Sequence, residues 1–422
     1  MEKFRRDLLL SGGTALVQGT LQRADIFIRD GRIAEISPSV EVPEGTPVIK
    51  AEGKLISFGF ADIHVHLREP GASYKETIRT GTKAAARGGY TTVCAMPNLN
   101  PVPDSPEHLE EELAIIRRDA CIDVLPYASI TVGRRGVQLV DMGALKGSVV
   151  AFSDDGSGVQ SGGMMEAAMR LAAREDCIIA AHCEDESLLR GGYIHDGAYC
   201  RAHGHRGICS ESEWKQVERD LALCEKTGAR YHVCHISTAE SVALIRAAKA
   251  RGVRVSCETA PHYLTLCEDD LREEGRFKMN PPLRSAADRE ALIEGLRDGT
   301  IDAIATDHAP HSAEEKSRGL AGSAMGITGL ETAFPVLYTG LVLPGRIGLE
   351  RLLEALCAGP RRIFRIGGSL QKGEAADLAV IDLNERYIID SSAFASMGHA
   401  TPFDGMAVQG RVVLTLKNGL SV

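Results

Sequence analysis

A (β/α)8 barrel of the α/β class, with a small β-sandwich domain formed by the two chain ends, is the fold this sequence predicts. Three observations predict it. Short apolar runs alternate with amphipathic helical patterns through the middle of the chain, the runs number eight, and strand-like segments occur at both ends. Parallel strands need crossover connections, and helices supply them. Eight such units in about 300 residues fit a closed barrel. The alternative, an open doubly wound sheet, usually carries a Gly-rich phosphate turn after its first strand, and none appears here.

Residues 7–10 and 24–36 alternate like strands, the second segment broken by Asp30-Gly31, a strong tight-turn signal. The pattern returns at residues 376–383 and 406–416. Chain termini are often close in space, so both ends are expected to build one small domain, residues 1–56 with 366–422. The barrel then takes residues 57–365. Its expected strands are 55–63, 90–96, 122–130, 148–152, 177–181, 231–234, 253–257 and 301–305. The helical patterns are 75–87, 107–118, 163–174, 212–226, 240–250 and 287–297.

Composition narrows the function classes. A hydrophobic fraction of 44% and a charged fraction of 25% are those of an ordinary soluble globular protein. The formal net charge of -9 argues against a nucleic-acid backbone as partner. The basic start holds only three consecutive leucines, too few for a signal peptide, and no apolar run approaches the roughly 18 residues of a membrane span. The 11 cysteines are odd in number and never spaced C-x-x-C, which suggests reduced thiols and a cytoplasmic location.

The strand ends carry the chemistry. The first ends in Asp62-Ile63-His64-Val65-His66-Leu67-Arg68, where residues two apart share a strand face. The second ends in Met96-Pro97-Asn98, the fourth in Ser153-Asp154-Asp155-Gly156, and the fifth in His182-Cys183-Glu184. The sixth ends in His232-Val233-Cys234-His235 and the eighth in Asp307-His308-Ala309-Pro310-His311. Taken alone, a buried histidine is more often a hydrogen-bonded core residue than a ligand. Histidines and aspartates at matching ends of an eightfold repeat are hard to explain by packing. Imidazole and carboxylate suit zinc or another divalent transition metal, and barrel enzymes place their sites at these ends.

The stretches D-I-H-V-H-L-R-E-P-G, A-M-P-N-L-N-P, A-F-S-D-D-G, A-A-H-C-E, H-V-C-H-I-S-T, E-T-A-P-H-Y-L, M-N-P-P-L-R and A-T-D-H-A-P-H resemble the bacterial dihydroorotases of the amidohydrolase superfamily. The resemblance covers nearly the whole chain. It implies that His64, His66 and Asp307 hold one metal, that His182 and His235 hold a second, and that Asp155 bridges them. It implies Zn2+, one ion firmly bound and two per chain in all. His66, Arg68, Asn98, Asn280 and His311 would contact substrate, with backbone atoms of Met325 and Gly326. The implied reaction is reversible cyclisation of N-carbamoyl-aspartate to dihydroorotate, a step of pyrimidine biosynthesis on a small-molecule substrate. A metal lowers the pKa of bound water to about 7, so that hydroxide serves as nucleophile, and polarises the carbonyl. Asp307 would act as general acid and base, and Arg68 would grip the substrate carboxylate. The resemblance also leaves room for a homodimer and for a complex with aspartate transcarbamoylase.

Some features stay open at this level. Asp154 and Asp155 are adjacent, so only one can bridge; the resemblance favours Asp155. Some relatives bridge their metals with a carboxylated lysine, but Lys146, the lysine near the fourth strand, precedes that strand and would sit at the wrong barrel end. That weakens a hydantoinase- or allantoinase-like reading. A non-catalytic scaffold would be expected to lack ligands, and all matched ones are present. His203-Gly204-His205, near His195 and Cys200, reads as a solvated or gating loop rather than a second metal cluster. His232 is expected to be structural and His262 to stand behind the site. Residues 312–326 are long for a βα connection and are expected to form a lid.

Overall fold

The computed structural model describes residues 7–17 and 19–422. Most of the basic start lies outside the described residues. Strands β1 (Leu8–Val17), β2 (Thr20–Arg29), β3 (Arg32–Ser37), β4 (Val48–Lys50) and β5 (Leu55–Phe58) come first. The β2–β3 hairpin turns through Asp30 and Gly31, at φ 50° and 76°. A two-residue turn with both residues at positive φ matches the twist of its strands, which is why Asp-Gly marks the corner.

The middle contains β6 (Phe60–Val65), β7 (Tyr90–Ala95), β8 (Asp123–Pro126), β9 (Ile178–Ala181), the short β10 (Ile194–His195) and β11 (Gly207–Ile208), then β12 (Arg230–Val233), β13 (Val255–Thr259) and β14 (Ala303–Ile304). β6, β7 and β8 pair in parallel, as do β9, β12, β13 and β14. Phe152 joins the two groups by parallel bridges to Ala128 and Ile179. The path returns to its start where Val65 bridges His308 in parallel and the His66 N–H donates to the His308 carbonyl at 2.8 Å. The parallel pairing therefore runs round a ring.

The fourth expected strand is reduced to that one bridging residue. Just beyond Phe152 the Asp154 carboxylate accepts the Ile130 and Thr131 N–H groups at 2.8 and 3.1 Å. A side chain thus takes donors that a longer ladder would use. The helices fall where periodicity put them: Ile78–Arg87, Pro106–Asp119, Gly162–Glu175, Glu211–Thr227, Ala239–Ala250 and Ala286–Arg297. The first starts at Ile78 because Thr77 caps it, its hydroxyl accepting the Thr80 N–H at 3.1 Å.

Strands β15 (Leu378–Ile388), β16 (Ala407–Lys417) and β17 (Leu420–Ser421) complete the small sheet. Its order is β17-β16-β15-β5-β1-β2-β3, with β4 on β1. One mixed eight-stranded sheet thus holds both chain ends, where a sandwich was expected. β5 is the reason: it pairs in parallel with β1 and antiparallel with β15, fusing the two halves. Leu10, Ile26, Ile28, Ile56, Leu378 and Val380 form its core. β5 passes through Gly59 directly into β6. A Cβ on Gly59 would lie 2.2 Å from the Thr91 side chain, so no larger residue fits the junction.

Among the described residues no helix is long and apolar enough to cross a membrane, and all the cysteines are free thiols. Phe60, fully buried at the start of β6, stacks on Phe334 and meets the edge of Tyr90, both at 5.6 Å. Truncation of a buried aromatic costs about 3–5 kcal/mol. Phe60→Ala should therefore lower the denaturant midpoint clearly; an unchanged midpoint would show that the sheet–ring junction adds little stability.

Candidate active site

At the carboxyl ends of the ring strands a pocket is lined by His66, Arg68, Asn98, Asp155, His182, His235, Asn280, Asp307, His311, Met325 and Gly326. His64 is fully buried, within 3.4 Å of Asp155. All the residues expected from the sequence are therefore brought together. His66 Nε2 lies 3.1 Å from Asp307 Oδ1, and His64 Nε2 lies 3.6 Å from the same oxygen. His182 Nδ1 and His235 Nε2 are 3.0 Å apart, and both face Asp155 Oδ1, at 3.8 and 3.5 Å. Asp155 also reaches His66 Nε2 at 3.5 Å with its other oxygen. It stands between the two histidine pairs.

The donor set fits a divalent metal. His64 Nε2 and Asp155 Oδ1 are buried and have no hydrogen-bond partner. Buried polar atoms are nearly always satisfied, and a shared cation would satisfy these. Among the described residues three groups of potential ligands share His64: with His66 and Asp307, with Asp155 and His235, and with Cys234 and Glu258. Burial alone would raise the Asp155 carboxyl, but the surrounding histidines, His64 foremost, hold it well below the usual range. Asp307 is likewise held low against burial, by His66 and His64. Carboxylates that stay ionised at neutral pH are the form a metal requires.

Glu258 and Glu184 were not singled out from the sequence. Glu258 Oε1 accepts from His64 Nδ1 at 2.9 Å while its other oxygen meets His232 Nε2 at 3.2 Å. Burial raises its carboxyl, but the two histidines bring it down to about 2. It fixes which His64 nitrogen faces the pocket. Glu184 does the same for His182, at 3.4 Å, and accepts from Asn280 Nδ2 at 3.1 Å. A signal was available: a charged residue in the otherwise uncharged strand V-S-C-E-T has to find a buried partner. His232 is structural, as its register suggested.

Arg68 reaches the pocket by a different route from the one expected. β6 ends at Val65, and Arg68 sits at φ 62°, in the left-handed region. A turn, not strand alternation, aims its side chain. Its Nε donates to the Pro310 carbonyl at 3.2 Å, and among the described residues it forms no ion pair. His311 accepts from Lys75 Nζ at Nδ1, 3.2 Å, so Nε2 carries the proton and donates to the Met325 carbonyl at 2.7 Å. Burial, Arg68 and Lys75 bring its pKa down to about 3, so the ring is neutral. Asn98 accepts from His66 Nδ1 at 2.8 Å, and Asn280 Oδ1 is buried without a partner.

Asp154 is turned away from the candidate metal ligands, binding Thr131 and Ile130. Lys146 pairs with Glu175 at 3.1 Å, away from the pocket. The histidines of the 195–205 loop have their own partners. His195 meets Arg284, His203 the Tyr199 carbonyl and His205 Glu273, and they form no candidate metal group among the described residues. His262 is fully buried near the site and does not line the pocket.

Residues 53–241 match the family model described as dihydro-orotase-like. A dihydroorotase of Bacillus caldolyticus is 52% identical over 407 residues, covering 96% of this chain and 95% of that protein. A dihydroorotase of Geobacillus sp. (strain WCH70) is 50% identical over 415 residues, covering 98% and 97%. Among solved structures, the L-hydantoinase (dihydropyrimidinase) of Arthrobacter aurescens superposes with a TM-score of 0.89 at 29% identity, covering 99% of this chain and 96% of that one. The dihydropyrimidinase of Brevibacillus agri gives 0.86 at 21% identity, with 99% and 95% covered, a likeness of fold alone.

Three outcomes follow from the geometry. Glu258→Gln should weaken metal retention by about 10- to 100-fold, as loss of an orienting carboxylate commonly does, read by titration against a chelator. Unchanged retention would show that His64 needs no orienting group. Asp155→Ala should remove most turnover, whereas Asp154→Ala should lower the melting temperature more than it lowers metal content. The reverse order would exchange their roles. Because Asp155 is a permanent carboxylate, metal-stripped protein should regain activity from metal alone in bicarbonate-free buffer; a bicarbonate requirement would overturn this.

Proposed function

The chain belongs to the dihydroorotase family, and we propose that it interconverts N-carbamoyl-aspartate and dihydroorotate in the pocket that holds Arg68, Asp155 and Asp307. It is a cyclic-amide hydrolase of the metal-dependent amidohydrolase type. The observation that carries the substrate reading is Arg68. Its guanidinium lines the pocket without an ion-pair partner, within reach of the candidate metal ligands. A guanidinium so placed suits a planar carboxylate gripped by two parallel hydrogen bonds.

The roles read as follows. His64, His66 and Asp307 would hold one zinc ion, His182 and His235 a second, with Asp155 between them. When bound, the metal supplies an activated water and polarises the ring carbonyl. Asp307 is ionised and stands at the pocket wall, so its carboxylate can take the attacking water's proton and return it to the departing ring nitrogen. Arg68 orients the ring by its carboxylate, and the unpartnered Asn280 Oδ1 is an acceptor suited to a ring N–H. His311, neutral and braced by Lys75, packs beside Arg68 without competing for an anion. Asn98 holds the His66 ring and donates to Asp155 at 3.4 Å.

The ring of parallel pairings supports a (β/α)8 barrel over residues 57–365, and the sheet with its own core supports a second domain from residues 1–56 and 366–422. The hydantoinases share the fold, but here an aspartate occupies the place between the histidine pairs.

Chelation should abolish dihydroorotate hydrolysis, and zinc should restore it; full turnover by protein verified as metal-free would refute the metal's role. Arg68→Met should raise KM for dihydroorotate by about 10- to 100-fold, since a charge-assisted hydrogen bond is worth about 1.5–3 kcal/mol, with metal content unchanged. An unaltered KM would remove Arg68 from the substrate site.

A further inference from the structure

Behind the pocket wall lies a buried ammonium that none of the chemistry above employs. Lys316 ends the short helix Ala313–Lys316 within the 312–326 segment, and its side chain is buried. Its Nζ donates to the carbonyls of Lys278 at 3.0 Å, Ala324 at 2.8 Å and Gly326 at 2.6 Å. Burial lowers the Lys316 amine to about 7, and the protonated form, with three donors and no acceptor, is the one that three carbonyls accommodate. Neighbouring Glu315 does not neutralise it; that carboxylate pairs with Lys75 at 2.9 Å.

The three carbonyls belong to two segments, and each segment supplies pocket residues. Lys278 lies two residues before Asn280, and Ala324 leads into Met325 and Gly326. The Gly326 N–H also donates to the Lys278 carbonyl, at 3.1 Å, so the two segments meet at one acceptor. Gly326 is held where only glycine fits. Its φ is 133°, and a Cβ there would lie 2.6 Å from the Ala309 carbonyl and 3.1 Å from His311 Nε2. One cation thus clamps the backbone on which Asn280, Met325 and Gly326 are carried, at a place where tenths of an ångström decide whether the pocket wall holds its shape.

We propose that Lys316 is a positioning residue that fixes the Met325–Gly326 and Asn280 wall against which the substrate ring lies. It touches no substrate and no metal ligand; it acts through three carbonyls. The segment expected to form a lid is therefore tied to the pocket wall from within, Lys316 holding the carbonyls of Ala324 and Gly326. The inference rests on the dihydroorotase reading for its kinetic consequence, while its structural half stands apart from that reading.

The test uses the full metal-loaded enzyme and the variant Lys316→Met, which keeps the length and apolar stem but loses all three donors. Amide exchange at residues 324–326 should accelerate by at least tenfold, and KM for dihydroorotate should rise by about tenfold, while kcat changes less than threefold and metal content stays level. Lys316→Gln, which retains two donors, should fall between the variant and the unaltered enzyme, and it carries the same test if Lys316→Met does not fold. Unchanged exchange overturns the clamp. Faster exchange with an unchanged KM overturns the positioning role. A fall in kcat matching the rise in KM, or loss of metal, assigns Lys316 to general stability instead. Should the unaltered enzyme not turn over dihydroorotate, the functional reading fails, and the exchange measurement alone decides the clamp.

Discussion

The first and last strands of the ring meet where Val65 bridges His308, and the geometry of the pocket is referred to that seam. It brings His66 against Asp307 although 241 residues separate them in the chain. The seam is reinforced from inside. The fully buried Asp62 carboxylate accepts the Thr306 hydroxyl at 2.6 Å and the Thr306 N–H at 3.1 Å, and it also accepts the His64 N–H at 3.1 Å. Burial pushes the Asp62 carboxyl up to about 7. One side chain therefore locks β6, which carries His64 and leads into His66, to the segment after β14 that carries Asp307. Open the seam, and the candidate ligand set comes apart before any of its residues is changed.

Much of this was legible in the chain because it depends on period and position. Alternating apolar runs and helical patterns placed the ring strands, and the motifs at their ends named the residues that line the pocket. Legibility failed where a backbone leaves its ideal form. Asp154 and Asp155 could not be told apart by strand alternation, because the fourth strand dissolves at Phe152 and Asp154 spends its oxygens on the Ile130 and Thr131 amides. Arg68 was placed correctly for the wrong reason, since it follows the strand's end. Glu258 was overlooked because its work is done on another residue, His64, from a strand far away in sequence. Pairing of that kind leaves a trace only as a charge in an apolar strand.

Three residues of the site, Arg68, His235 and Asp307, sit at φ 62°, 33° and 49°. Non-glycine residues in that region cost of order 1–3 kcal/mol each, and they persist only where the surroundings over-determine them. The surroundings here do so: His235 is set by His182, Asp155 and the Glu258 carboxylate, which accepts its N–H at 3.4 Å, and Asp307 is set between His66 and the seam. The cost accompanies the bend that turns these three chain segments toward the pocket, so that their side chains converge.

A fold shared with hydantoinases at a TM-score of 0.89 cannot itself select a substrate, because function resides in the site carried on the fold. What separates one cyclic amide from another is the group outside the ring. A hydantoin or dihydropyrimidine side chain can be apolar, and it calls for an apolar wall. Here the pocket wall presents the Arg68 guanidinium, which has no ion-pair partner among the described residues, beside a His311 ring kept neutral by burial, Arg68 and Lys75. A neutral imidazole adds no second positive charge that would draw the anion off line. An apolar substituent would leave the guanidinium with the Pro310 carbonyl but no counter-charge, at a cost of several kcal/mol in ordinary desolvation terms. On the proposed role of Arg68, discrimination against apolar ring substituents follows from that arginine, and a ring carboxylate is a substituent that removes the penalty.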